Sequence, residues 1–226
     1  MSAKMQTKSD SMIQQAVLRE LSWDTRVEET EIGVTVDDGV VTLTGNVSSY
    51  GKKIAAQDAA HRVYGVLDVA NDIRVQLPGS MARSDTEIAQ AVRNALEWDV
   101  WIPEERIKST VSNGWVTVEG DVTLLRERAD VERAVRRLAG VRGVTNKIEV
   151  KPPKLAAADL RETIEEALER RAEREAKRIK VEVHDGAVKL SGAVRSWAEK
   201  RAILGTVSHA PGVRAVEEHL FVDLLF

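Results

Sequence analysis

An Asp-Gly or Asn-Gly pair occurs three times at a near-constant interval, as Asp38-Gly39, Asn113-Gly114 and Asp185-Gly186. Each has the chemistry of a two-residue type I′ hairpin, which needs positive φ at both central residues. A second glycine follows each pair at one fixed distance (Gly45, Gly120, Gly192) and a third at another (Gly65, Gly140, Gly212). The same offsets carry Ile13, Val17 and Leu21 onto Ile88, Val92 and Leu96, and then onto Leu160, Ile164 and Leu168. Such a period means that one supersecondary unit has been written repeatedly. Three domains are expected, at 9–78, 84–152 and 156–224. The connectors "LPGSMAR" and "VKPPKLAAA" hold most of the prolines.

Each copy reads as helix, strand, strand, helix, strand. In the first, Ile13, Ala16, Val17 and Leu21 line one helix face. Ile32, Val34 and Val36 alternate along strand one, and Val41, Leu43, Gly45 and Val47 along strand two. Ala56, Ala59, Ala60 and Val63 give the second helix its apolar stripe, matched by Val131, Ala134, Val135 and Leu138 in the next copy. Asp10, and Ser84 or Asp85, are the candidate N-caps; the third copy has alanine there. Gly65, Gly140 and Gly212 are expected to end the second helices as left-handed caps. Gly45, Gly120 and Gly192 share parity with the inward valines and should let a helix lie close to the sheet. A right-handed crossover then sets strand three parallel to strand two. The fold class is α+β: three tandem αββαβ units, each a three-stranded mixed sheet with two helices on one face.

The residues that carry chemistry in other proteins are sparse. There is no cysteine, which removes disulfides and thiolate chemistry and fits a reducing compartment. His61, His184, His209 and His219 sit in four different contexts without the spacing of a metal site. No nucleotide-binding or serine-hydrolase motif occurs, so no catalytic residue, metal or cofactor is assigned. A net charge of −3 gives no reason to expect nucleic acid. "GVRG" (140–143) resembles an RNA-binding GxxG loop, but it joins a helix to a strand and suits cap chemistry better. No apolar run reaches the length of a membrane span, and the N-terminus lacks a secretory h-region. A cytoplasmic location is expected, with peripheral attachment at the inner membrane as an option.

The informative residues are indoles and arginines. Trp23 and Trp98 hold equivalent positions at the edge of the first-helix stripe, where core or rim packing is the expectation. Trp101 and Trp115 are private to the middle copy, where the others have Arg26 and Glu173, and Val40 and Ala187. Such positions accept charge or small residues, so these two indoles read as interface residues. The middle copy also concentrates base on its second helix, at Arg126, Arg128, Arg133, Arg136 and Arg137. Two readings stand: a salt-bridged solvated helix, or contact with anionic head groups. The candidate lipid or partner contacts are Trp98, Trp101, Trp115, Arg126, Arg133 and Arg137.

Three stretches carry a resemblance to a known family. They are "LSWDTRVEETEIGVTVDDGVVTLTGNV" with "GVLDVANDIRV", "LEWDVWIPEERIKSTVSNGWVTVEGDV" with "GVRGVTNKIEV", and "IKVEVHDGAVKLSGAV" with "GVRAVEEHLFV". Each resembles the BON domain. The third copy departs at Arg170-Arg171, where the others have Trp-Asp, and at Glu218, which replaces Asn71 and Asn146. The resemblance implies a binding module rather than an enzyme, associated with phospholipid membranes or envelope integrity. Two functions follow as expectations. One is association with phospholipid or a hydrophobic small molecule during envelope or osmotic stress. The other is a self-associating scaffold, or a carrier using grooves between domains or subunits.

Overall fold

The three hairpins form as their glycine pairs require. In the computed structural model, which describes residues 9–27, 32–79, 82–153, 155–171 and 179–223, the paired φ angles are 46° and 78° at Asp38-Gly39. They are 52° and 79° at Asn113-Gly114, and 46° and 75° at Asp185-Gly186. These are type I′ values. The first turn joins β1 (Ile32–Asp37) to β2 (Val40–Val47), the second joins β5 (Ile107–Ser112) to β6 (Trp115–Val122), and both pairs are antiparallel. The third joins β8 (Lys180–His184) to β9 (Ala187–Val194) in the same way.

The helices are α1 (Asp10–Trp23) and α2 (Tyr50–Ala60) in the first repeat, and α3 (Asp85–Glu97) and α4 (Leu125–Val135) in the second. The third repeat has α5 (Ala157–Arg171) and α6 (Trp197–Ser208). In the second repeat β7 (Gly143–Val150) runs unbroken and parallel to β6. The first repeat splits that strand into β3 (Asp68–Asn71) and β4 (Arg74–Val75), both parallel to β2, with buried Ile73 in the gap. The third sheet has the order β10-β9-β8, with β10 at Ala215–Val222.

One face of each sheet is covered. Ile13, Val17 and Leu21 of α1 and Ala55, Ala56, Ala59 and Ala60 of α2 form one buried cluster with Val34, Val41, Leu43 and Val47. Four small residues on α2 let the helix approach its neighbours closely, so packing rather than propensity holds it. The other face is left to Val40, Thr42 and Thr44, and to Trp115, Thr117 and Glu119.

Local chemistry differs from the expectation at three places. The first helix is capped by Ser9 without a side-chain bond. The third helix is capped by Ser84, the first of its two candidates, in a capping box with Glu87. Asp10 and Asp85 do something else. The Asp10 carboxylate accepts the N–H groups of Asp38 (3.1 Å) and Gly39 (3.0 Å), and Asp85 accepts those of Asn113 (2.8 Å) and Gly114 (2.9 Å). Each aspartate pins the start of its helix to the tip of its own hairpin. The second correction concerns Gly65, Gly140 and Gly212. They do have positive φ, of 103°, 86° and 92°, but the helices end earlier, at Ala60, Val135 and Ser208. These glycines sit beyond the helix end, in a further turn. Thirdly, Gly120 makes room for a strand and not for a helix. At its φ of 139° a side chain would run into the Arg106 carbonyl oxygen at the entry to β5.

By packing, the chain divides differently from its repeats. One compact unit holds Met1–Pro78 with Val194–Lys200 and Phe221–Phe226; the other holds Gly79–Ala193 with Arg201–Leu220. Among the described residues, no helix is long and apolar enough to cross a membrane.

Candidate functional site

The corner that follows the first helix of a repeat is built by one aspartate. Asp24 Oδ1 accepts the N–H of Arg26 at 3.2 Å, and Asp99 Oδ1 accepts that of Trp101 at 3.1 Å. In each, the next residue bonds back to the aspartate carbonyl, Val27 at 2.9 Å and Ile102 at 3.0 Å. This is an Asx turn closed by a backbone bond. Its two ends are anchored, since Leu21 and Val27, or Leu96 and Ile102, are buried. Apart from the aspartate, whose side chain in the first repeat is 6% exposed, the residues between are left to face outward. Trp98, Val100 and Trp101 are accordingly 85%, 88% and 65% exposed, and Trp23 is 83% exposed. Core or rim packing of Trp23 and Trp98 is therefore overturned: both rings stand in solvent.

Electrostatics separate the two corners. In the first repeat Arg26 grips Asp24 through Nε at 2.8 Å, and Arg62 bridges Asp24 (2.9 Å) and Glu20 (2.6 Å). The Arg26 bond, followed by that from Arg62, holds the Asp24 carboxyl far below the ordinary carboxylate range although burial opposes this. Both guanidinium groups are raised in turn. The repeat offset places Asp99, Trp101, Arg137 and Ala95 where Asp24, Arg26, Arg62 and Glu20 stand. Trp101 has replaced a cation, and Ala95 has removed a carboxylate. Among the described residues Arg137 makes no ion pair. The middle corner thus combines an exposed apolar tip with a released arginine. The third corner, Arg170-Arg171 with Glu173, lies outside the described residues and side chains.

The other candidates divide. The Arg126 guanidinium lies 5.4 Å from the centroid of the Trp101 ring, within the reach of a cation–π contact. Trp101, Arg126 and Arg133 line one recess of about 470 Å³, together with Asp99, Asp130, Ser208 and His209. Arg133 pairs with Asp130 at 3.0 Å, and Arg128 donates to the Asn146 carbonyl at 3.3 Å. Arg133 follows the salt-bridged reading, Arg128 is engaged by a backbone carbonyl, and Arg137 makes no ion pair among the described residues. Trp115 is elsewhere, on the outer sheet face and 51% exposed. Its ring covers Gly143, its partner across the parallel pair, and its Nε1 donates to Thr145 Oγ1 at 2.8 Å. That glycine explains why an indole is accommodated there.

Asn71 and Asn146 are staples. Asn71 Nδ2 donates to the Lys53 carbonyl (3.0 Å), and Asn146 Nδ2 to that of Arg128 (2.9 Å), tying the second helix to the third strand. Glu218 accepts the Leu220 N–H at 2.6 Å, as Asn71 and Asn146 accept those of Ile73 and Ile148, but its carboxylate cannot supply the donating half of the staple. Among the described residues no group of histidines and carboxylates is placed to hold a metal. Val100, 88% exposed, is the residue of the corner that a strand-and-helix reading passes over. Comparing corners between repeats, with Glu20 against Ala95 beside Arg26 against Trp101, is the signal that draws attention to the whole turn.

The BON domain profile matches residues 9–76, 84–152 and 156–223. The chain belongs to the BON domain family. A relative is the Osmotically-inducible protein Y of Escherichia coli (strain K12), 28% identical over 146 residues, which span 63% of this chain and 73% of that protein. Among solved structures, CdsD, a structural protein of the Type III secretion system of Chlamydia trachomatis, aligns over 92% of this chain and 91% of its own. The identity is 14% and the TM-score 0.26. A CdsD C-terminal domain structure aligns at 13% identity over 95% and 98%, again with a TM-score of 0.26. Superpositions this loose carry no argument about this chain.

Proposed function

We propose that this protein is a non-enzymatic binding protein that attaches to anionic phospholipid surfaces through the corner of its middle repeat. The name of the relative, Osmotically-inducible protein Y, supports a role in osmotic stress. The observation that carries this reading is that an apolar tip, and an arginine with no ion pair among the described residues, stand where the first repeat has a closed ion-pair network, on an otherwise repeated scaffold. Trp98, Val100 and Trp101 would enter the head-group region, where indoles are at home. Arg137 and Arg126 would face lipid phosphates, each basic group adding about 1 kcal/mol near a charged bilayer. Co-sedimentation with anionic vesicles tests this. The wild type should pellet at low salt and release as salt rises, and Trp98→Ala with Trp101→Ala should abolish pelleting. Absence of binding at low salt removes the reading. Self-association through Trp115 is the second reading, motivated by its half-exposed place on the outer sheet face. Light scattering separates the two, because that reading requires an oligomer without vesicles.

A further inference from the structure

Trp23, Trp98, Trp101 and Trp115 are all exposed, whereas Trp197 is half-buried. It opens α6, and it lies in the compact unit built on the first repeat. Its ring stacks on His61, with centroids 3.9 Å apart and planes 14° from parallel. Its Nε1 donates to the Leu67 carbonyl at 3.1 Å. Lys200 Nζ lies 4.5 Å from the centroid of the same indole. The receiving turn has the groups for the task. His61 is the C-cap of α2, so its ring stands at the helix end. The Leu67 N–H is committed to the Gly39 carbonyl at 2.9 Å, which ties the residue that accepts the indole to the hairpin of the first repeat.

Both partners are private to their repeats. The offsets place Arg136 and Ser208 at the position of His61, and Tyr50 and Leu125 at that of Trp197. Among the three equivalent turns, His61 alone offers a flat ring, and among the equivalent helix starts Trp197 alone brings an indole. We propose that the α2–β3 turn of the first repeat is an indole-binding surface, and that its occupant is Trp197 of the same chain. The start of α6 is then docked on the first repeat by a specific plug, in addition to its covalent tether. An aromatic pair of this kind shifts the ratio of docked to undocked chains by roughly two- to twelvefold.

The full chain tests this with Trp197→Phe, Trp197→Ala and His61→Ala. The difference in fluorescence between wild type and Trp197→Phe isolates Trp197, which should emit to the blue and resist acrylamide. The same difference, measured in a His61→Ala background, should become quencher-accessible with far-UV circular dichroism unchanged. Trp197→Ala should raise the radius of gyration in small-angle scattering, and Trp23→Ala should not. If His61→Ala disturbs the fold, Trp197→Phe remains, since it keeps a ring but loses the Leu67 bond and should also expand the chain. Trp197 as open to acrylamide as an exposed indole would overturn the proposal. So would unchanged scattering in both Trp197 variants, or a dimer in the wild type that places the indole on a second copy.

Discussion

Removing the aspartate that pins a helix start to its hairpin should loosen that hairpin by a predictable amount. Asp85 accepts two backbone N–H groups, at 2.8 and 2.9 Å, from the residues that must hold positive φ. A hydrogen bond to a charged group is worth about 1.5–3 kcal/mol net. Water replaces much of that at an exposed turn, so the lower end applies to the pair together. The first-turn position adds a favourable helix-dipole interaction of about 0.3–1 kcal/mol, which salt screens. Asp85→Ala should therefore cost about 1–2 kcal/mol locally, a factor of roughly 5–30 in the opening equilibrium. Amide hydrogen exchange is the right assay, because a chain of several packed units has no single unfolding free energy. Protection at Asn113 and Gly114 should fall by that factor while the turn at Asp38-Gly39 keeps its own. Asp85→Asn should fall between, because an amide oxygen accepts but carries no charge. The converse exists in the third repeat, where Ala157 occupies the position of Asp10 and Asp85. Ala157→Asp should raise protection at Asp185 and Gly186 severalfold. Unchanged protection in both Asp85→Ala and Ala157→Asp would show that the two bonds add nothing beyond what water supplies, and the reasoning fails.

Three further outcomes follow from the site and the sheet. Asp24 has its proton affinity depressed by Arg26 and then Arg62, so its contribution is present at neutral pH. As pH falls below about 4 the unfolded chain takes up this proton first, and the contribution drains away as pH approaches the folded value. Both arginines are partly exposed, so Asp24→Asn should cost about 1 kcal/mol at pH 7, with a shallower acid loss than wild type in urea titrations. Gly120→Ala meets the Arg106 carbonyl at a φ of 139° and should destabilise by about 1–3 kcal/mol, read as a lower urea midpoint for the middle repeat. Trp115→Ala strips the cover from Gly143 and the bond to Thr145. It should speed exchange of the β7 amides while leaving vesicle pelleting intact, since Trp115 lies on a different face from Trp98 and Trp101.

The architecture was legible because its signals are local and repeated. Positive φ at three Asx-Gly pairs, strand alternation and a small-residue helix face each depend on residues a few positions apart. What escaped depends on atoms brought together by the fold. Asp10 and Asp85 look like helix caps, because the same carboxylate chemistry suits a helix start and a hairpin tip nearly thirty residues on, and only the three-dimensional path chooses. Trp98 looks like rim packing because its position on the helix wheel borders the apolar stripe. Its real orientation is decided by Asp99, which closes a turn just after the helix ends. Pairing Trp197 with His61 has no local signal at all.

The repeats themselves supply the missing comparison. A single BON domain would show Trp101 as one more surface aromatic and Arg137 as one more surface arginine. With the first repeat as an internal control, the same scaffold shows what those positions do when they stay structural: Arg26 and Arg62 neutralise Asp24, and the network closes on itself. The middle repeat keeps the aspartate, because without it the turn would not form, and changes only the groups that had satisfied the charge. An indole in place of an ion-paired arginine gives up Coulomb energy and leaves most of its ring in water, against one cation–π contact from Arg126. A partner that covers the ring would supply the gain, as the proposed lipid contact requires. That asymmetry, more than the number of tryptophans, is what supports the proposal at the middle corner over the first repeat's matching corner, exposed Trp23 included.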